Sequence, residues 1–76
     1  MVDPSQIQEH MHVHASDGKH VGTVDKVEGD RIKLAKNDPV SGGQHHYIPL
    51  SLVESAERMV KLSVPAEQAR QQMTTS

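Results

Sequence analysis

The pair Asp17-Gly18 lies between two runs of alternating apolar and polar residues, and this limits the fold more than any other feature of the chain. Asp-Gly in that setting is the strongest short-range signal for a β-hairpin, because both central residues of the tightest hairpin turn need positive φ. Before it, Met11, Val13 and Ala15 alternate with His10, His12 and His14. A period of two describes a strand with one buried face. After it comes Val21 to Val27, where strict alternation fails because Val21, Val24 and Val27 are three apart. A bulge near Gly22 would reset the phase and coil the strand.

The same reading extends along the chain. Glu28-Gly29-Asp30 forms a second tight turn, after which Ile32 and Leu34 alternate with Arg31 and Lys33. Asn37 to Gly43 is irregular: Asp38-Pro39 starts a turn and Ser41-Gly42-Gly43 reads as a flexible loop. His46, Ile48 and Leu50 share one face of a fourth strand, with His45 and Tyr47 on the other. Pro49 cannot donate a ladder bond, so that strand's end belongs at an edge or a bend. Val60, Leu62 and Val64 mark a fifth strand. Asp3-Pro4-Ser5-Gln6 has the form of a short capped helical turn. Pro65 opens a polar helical stretch with a stripe of Ala66, Ala69 and Met73, too thin to fold alone. Thr74, Thr75 and Ser76 are expected to fray. Five short strands joined by tight turns predict a mainly β fold, a small barrel or strongly coiled sheet, with a short C-terminal helix.

With 76 residues the chain is one domain. Its apolar residues are aliphatic: nine Val, four Leu, three Ile and four Met, with one Tyr and neither Phe nor Trp. Aromatic side chains bury the most area per residue. The core is therefore thin, and a homodimer would add buried area. A net charge of −2 argues against a basic nucleic-acid-binding surface and gives no attraction to an anionic membrane. The absence of cysteine excludes disulfides, thiolate metal sites and Cys nucleophiles. Met1-Val2-Asp3-Pro4 lacks the features of a signal peptide, and a cytoplasmic location is expected.

Several segments have a familiar form. Ser16-Asp17-Gly18 followed by Val21-Gly22-Thr23-Val24-Asp25 resembles the opening hairpin of PRC-barrel-like domains. The run Gly43-Gln44-His45-His46-Tyr47-Ile48-Pro49-Leu50, with Val53 after it, resembles a bacterial family catalogued as domain of unknown function 2171, placed in the PRC-barrel-like superfamily. The resemblance spans about Ile7 to Leu62. It implies a small β-barrel of five or six short antiparallel strands, here about residues 7–64, with a polar helical tail at 65–76. It implies little chemistry. Relatives in the superfamily serve as docking modules, and fold alone does not carry function. The His-x-His-x-His run departs from the family pattern.

Six histidines are the least ordinary feature of the composition. Their full protonation would take the formal charge from −2 to +4, and histidine titrates near pH 6.5. His10, His12 and His14 stand at alternate positions, roughly 6.5–7 Å apart along a strand. Two such imidazoles can reach one Zn²⁺, while a third would be stretched. Further ligands could come from Asp17, Glu9, His20 or a neighbouring copy. The competing reading is a solvated polar face with weak Zn²⁺ or Ni²⁺ affinity and no resident cofactor.

His45 and His46 point to opposite faces, so they cannot chelate together. His46 is expected to hold a backbone carbonyl or a carboxylate. His45 and Tyr47 form a candidate contact surface. Asp17, Gly18, Gly22, Gly29 and Pro49 are assigned structural roles. Arg31, Lys33 and Lys36 are balanced by Asp25, Glu28 and Asp30. No nucleophile elbow is present, and no catalytic residue is assigned. The expected function is a non-enzymatic interaction module docking on a protein partner or on itself. The alternative is a histidine-based metal-binding or pH-responsive protein.

Overall fold

In the computed structural model, residues 3–75 are described. Ser76, expected to fray, and Met1-Val2 of the N-terminal stretch lie outside them. The strands are β1 (His12–His14), β2 (His20–Glu28), β3 (Arg31–Leu34), β4 (His46–Pro49), β5 (Val53–Ala56), β6 (Val60–Leu62) and β7 (Thr74–Thr75). One helix, α1 (Ala66–Gln72), precedes β7, and 3₁₀ turns occupy Pro4–Gln6, Pro39–Ser41 and Leu50–Leu52. The strands form one seven-stranded sheet in the order β5-β6-β1-β2-β3-β4-β7. The ladder runs from one end to the other without closing on itself, so the sheet is open.

Two features correct the expectation of five or six antiparallel strands. β6 runs parallel to β1, with Val13 opposite Val60 and His14 opposite Lys61. A parallel neighbour needs a long connection, and the whole of β2 to β5 supplies it. The second feature is β7. Thr74 and Thr75 do not fray but pair with Tyr47 and His46 of β4. Helix α1, whose Ala66 and Ala69 are buried, packs on β2 and β4 and returns the chain to that open edge.

The hairpin between β1 and β2 forms around Asp17-Gly18, with a different turn from the tightest one. Gly18 has φ 84°, but His10 is the sole non-glycine residue at positive φ among those described, so Asp17 stays in ordinary backbone. The Gly18 N–H donates to Ala15 O and the Ala15 N–H to Lys19 O, each at 2.9 Å. This is a three-residue loop with glycine in the left-handed position. The Asp17 carboxylate accepts from the Lys19 N–H at 3.2 Å.

β2 is the spine of the sheet and is bulged twice. Val13 faces Gly22 whereas His14 faces His20, which leaves Val21 as an extra residue on β2. Val24 faces Leu34 whereas Lys26 faces Lys33, which leaves Asp25 as a second extra residue. Each bulge shifts the phase of alternation, and this accounts for the three-residue spacing of Val21, Val24 and Val27. The coiled strand brings the two halves of the sheet over one core. Val13, Val24, Ile32, Ile48, Val60 and Leu62 are fully buried there, with Leu34 nearly so. No aromatic side chain enters this cluster.

Gly22 is buried where Leu34 crosses β2. A Cβ at that position would lie 2.9 Å from Leu34 Cδ1. Gly22→Val is therefore expected to lower stability by about 1–3 kcal/mol through overpacking. Urea unfolding monitored by circular dichroism checks this; an unchanged midpoint would mean that Leu34 moves aside at no cost.

Candidate metal centre

The outer face of the β1–β2 hairpin carries the histidines. His12 and His14, two apart on β1, project to the side opposite buried Val13. Cross-strand partners in an antiparallel pair share a face. His20 lies opposite His14, and Thr23 opposite His12, so all four side chains stand on one surface. The three imidazoles pack edge to face, with ring centroids 6.2 Å apart for His12–His14, 5.5 Å for His12–His20 and 5.6 Å for His14–His20. One nitrogen from each ring lies within 4.8 Å of the other two. Nitrogens sharing a tetrahedral Zn²⁺ at about 2.0–2.1 Å stand about 3.3 Å apart.

Asp38 completes the arrangement from a distant part of the chain. The segment after β3 folds back over β2, and Asp38 begins the 3₁₀ turn Pro39–Ser41. Its Oδ1 accepts from the Val40 N–H at 3.0 Å. Its Oδ2 accepts from Thr23 Oγ1 and lies 2.7 Å from His20 Nε2. Burial pushes the Asp38 carboxyl pKa up, but the hydrogen bonds from Thr23, the Val40 N–H and His20, with the attraction of His20's charge, outweigh it. The net result is a pKa lowered from 3.8 to about 2. A carboxylate can only accept, so His20 Nε2 carries a proton, and in the neutral ring that metal binding needs Nδ1 holds the lone pair. Asp38 thus fixes the tautomer of His20 from behind, the way carboxylates orient metal-binding histidines.

The loop carrying Asp38 is pinned at several points. Ser41 Oγ lies 2.6 Å from Lys36 O and 2.7 Å from Asp38 O, and accepts from the Gly43 N–H at 3.2 Å. Gly42 and Gly43 take φ of 66° and 82°, a reversal that side-chain-bearing residues adopt at a cost. His46 Nε2 donates to Ser41 O at 2.8 Å and His45 Nδ1 to Leu34 O at 2.9 Å. The segment Ser41-Gly42-Gly43, expected to be a flexible loop, is bonded through the Ser41 hydroxyl to Lys36 O, Asp38 O and the Gly43 N–H.

His10 is not part of the histidine cluster. It precedes β1 at φ 68°, is exposed, and its N–H donates to Val24 O. That left-handed residue breaks the alternation that would have aligned it with His12, and His20 from β2 takes the third place. Tyr47 does not offer a contact surface. It stands on the outer side of β4 but is 7% exposed, with the Arg31 guanidinium 4.2 Å from its ring centre and Thr74 of β7 paired beside it. His45 is half-buried and tied to Leu34. Pro49 ends β4, and Gly29 turns β2 into β3 at φ 60°.

His20 was legible only as a potential extra ligand, and Asp38 only as the start of a turn. Val21, breaking the apolar alternation one residue before Gly22, is the signal that could have promoted His20. No local signal points to Asp38, 18 residues from its partner.

The fold and site define a small mainly β protein with a three-histidine cluster backed by a carboxylate. Residues 7–70 match the family described as "Uncharacterized protein conserved in bacteria (DUF2171)", and the chain belongs to that family. No curated protein and no solved structure matches it. Among the described residues, no helix is long and apolar enough to cross a membrane.

The lowered pKa of Asp38 sets a sign for acid stability. A carboxyl that binds its proton more weakly when folded stabilises the fold above its unfolded value of 3.8, and this contribution is lost as pH falls through about 2. Asp38→Asn should therefore be less stable than the parent at about pH 5, with the difference shrinking towards pH 2. Urea midpoints at both ends of that range measure it. A difference independent of pH would contradict the ionic role.

Proposed function

We propose that the protein binds a divalent transition-metal ion through His12, His14 and the Nδ1 of His20, with Asp38 holding His20 in place. One observation carries this reading: one nitrogen from each of three imidazoles on two bulge-registered strands lies within 4.8 Å of the others, and the ring of His20 is held through Nε2 by a buried carboxylate. A solvated histidine face needs neither the convergence nor Asp38. Neutral imidazoles suit Zn²⁺, Ni²⁺, Cu²⁺ and Co²⁺, and the oxygen-preferring Mg²⁺ and Ca²⁺ poorly.

Calorimetric titration with Zn²⁺ at neutral pH, alongside amide NMR, tests the proposal. One Zn²⁺ per chain is expected, with shifts centred on His12, His14 and His20. His12→Gln and His20→Gln should abolish tight binding, His10→Gln should leave it unchanged, and Asp38→Asn should weaken it about 10–100-fold. Equal binding by the His12, His20 and His10 variants would sink the idea.

Kinship with PRC-barrel-like domains is a further part of the proposal. The Asp17-Gly18 hairpin and the coiled, twice-bulged β2 support it. Self-association is the second reading, supported by a core cluster without aromatic residues and by the exposed Val40 and Met59 side chains. A mass that rises with concentration in light scattering would support it, and a monomer throughout would remove it.

A further inference from the structure

We infer that a metal held by His12, His14 and His20 keeps an exchangeable coordination position that takes a small anion, so that the protein binds metal and anion together. The inference rests on the metal reading above. Its first support is where the donors come from. All three project from one surface of two adjacent strands, so they approach a metal from the sheet side and leave its outer side to other ligands. Zinc sites with three protein ligands keep the fourth position for water or substrate, whereas closed structural sites use four protein ligands.

The second support is that Asp38 is committed elsewhere. Both its oxygens are occupied, Oδ1 by the Val40 N–H and Oδ2 by Thr23 and His20. Swinging Asp38 in as a fourth ligand would break the cap of the 3₁₀ turn and release His20. It acts behind the histidine.

The third support is the space beside the cluster. A groove of about 760 Å³ opens along His12 and His20 on the side of the Asp38 loop, and Asp25, Lys36, Asn37, Asp38 and His45 also line it. Lys36 supplies a positive charge and Asn37 an amide donor. His45 donates its Nδ1 proton to Leu34 O, so in the neutral ring Nε2 is an acceptor for a protonated ligand oxygen. The carboxylates of Asp25 and Asp38 oppose an anion in the metal-free groove. A divalent ion reverses that balance, because a bound cation is the largest local charge in such a site. Anion binding is therefore conditional on the metal.

Cobalt reads both events, since the visible bands of bound Co²⁺ report its ligands. The protein would be loaded with one equivalent of Co²⁺ and titrated with azide, then with inorganic phosphate. The expected result is a saturable change in the bands at one azide per cobalt, competition by phosphate, and no azide binding by the metal-free protein. Lys36→Gln should weaken azide binding severalfold and leave cobalt affinity unaltered. Cobalt bands that depend on His12 and His20 but ignore both anions would overturn this inference and leave the metal proposal standing. Cobalt binding indifferent to His12→Gln and His20→Gln would overturn both.

Discussion

Everything on the histidine face depends on one extra residue in one strand. Were β1 and β2 paired without interruption from His12–Thr23 onward, Val21 would sit opposite His14, and His20 would point to the core side. A one-residue slip moves every side chain of a strand to the other face. The bulge at Val21 makes that slip locally, so His20 faces His14 while Val21 stays in the core at 4% exposure. A single irregularity thus satisfies the apolar core and assembles three imidazoles outside it.

The bulge is held from both sides of the sheet. Beneath it, Gly22 has no side chain because Leu34 occupies the space a Cβ would need. Above it, the 36–44 loop brings Asp38 onto His20 and Thr23 and is itself fastened by Ser41, His45 and His46. Three histidines have their tautomers fixed by groups that can only accept: His20 by a carboxylate, His45 and His46 by backbone carbonyls. Five of the six histidines therefore fall into two groups, with His10 apart from both. His45 and His46 serve the loop that presents Asp38, and His12, His14 and His20 form the cluster in which Asp38 orients His20.

Local information was readable along the chain. Period-two alternation located β1 and the shared face of His12 and His14, Asp17-Gly18 located the hairpin, and Pro65 with Ala66 and Ala69 located the helix. The broken valine spacing gave warning of a bulged β2. What escaped depends on contacts between distant residues. His10 continues the His-x-His spacing in sequence but leaves it in space, because its φ is positive. Tyr47 lies on the outer side of β4 as its alternation requires, yet Arg31 and β7 cover it, and neither is nearby in sequence. The parallel pairing of β6 with β1, the Thr74–Thr75 strand and the Asp38–His20 contact are likewise set by how the segments pack on one another.

The most direct test of a bulge-built, carboxylate-oriented histidine centre is a crystal structure grown with zinc, with anomalous scattering recorded at the zinc edge. The account requires one strong peak per chain, about 2.0–2.1 Å from a nitrogen of each of His12, His14 and His20. His20 should bind through Nδ1, with Asp38 on Nε2. A principal peak at His10, or a β1–β2 ladder with Val21 rather than His20 opposite His14, would contradict it.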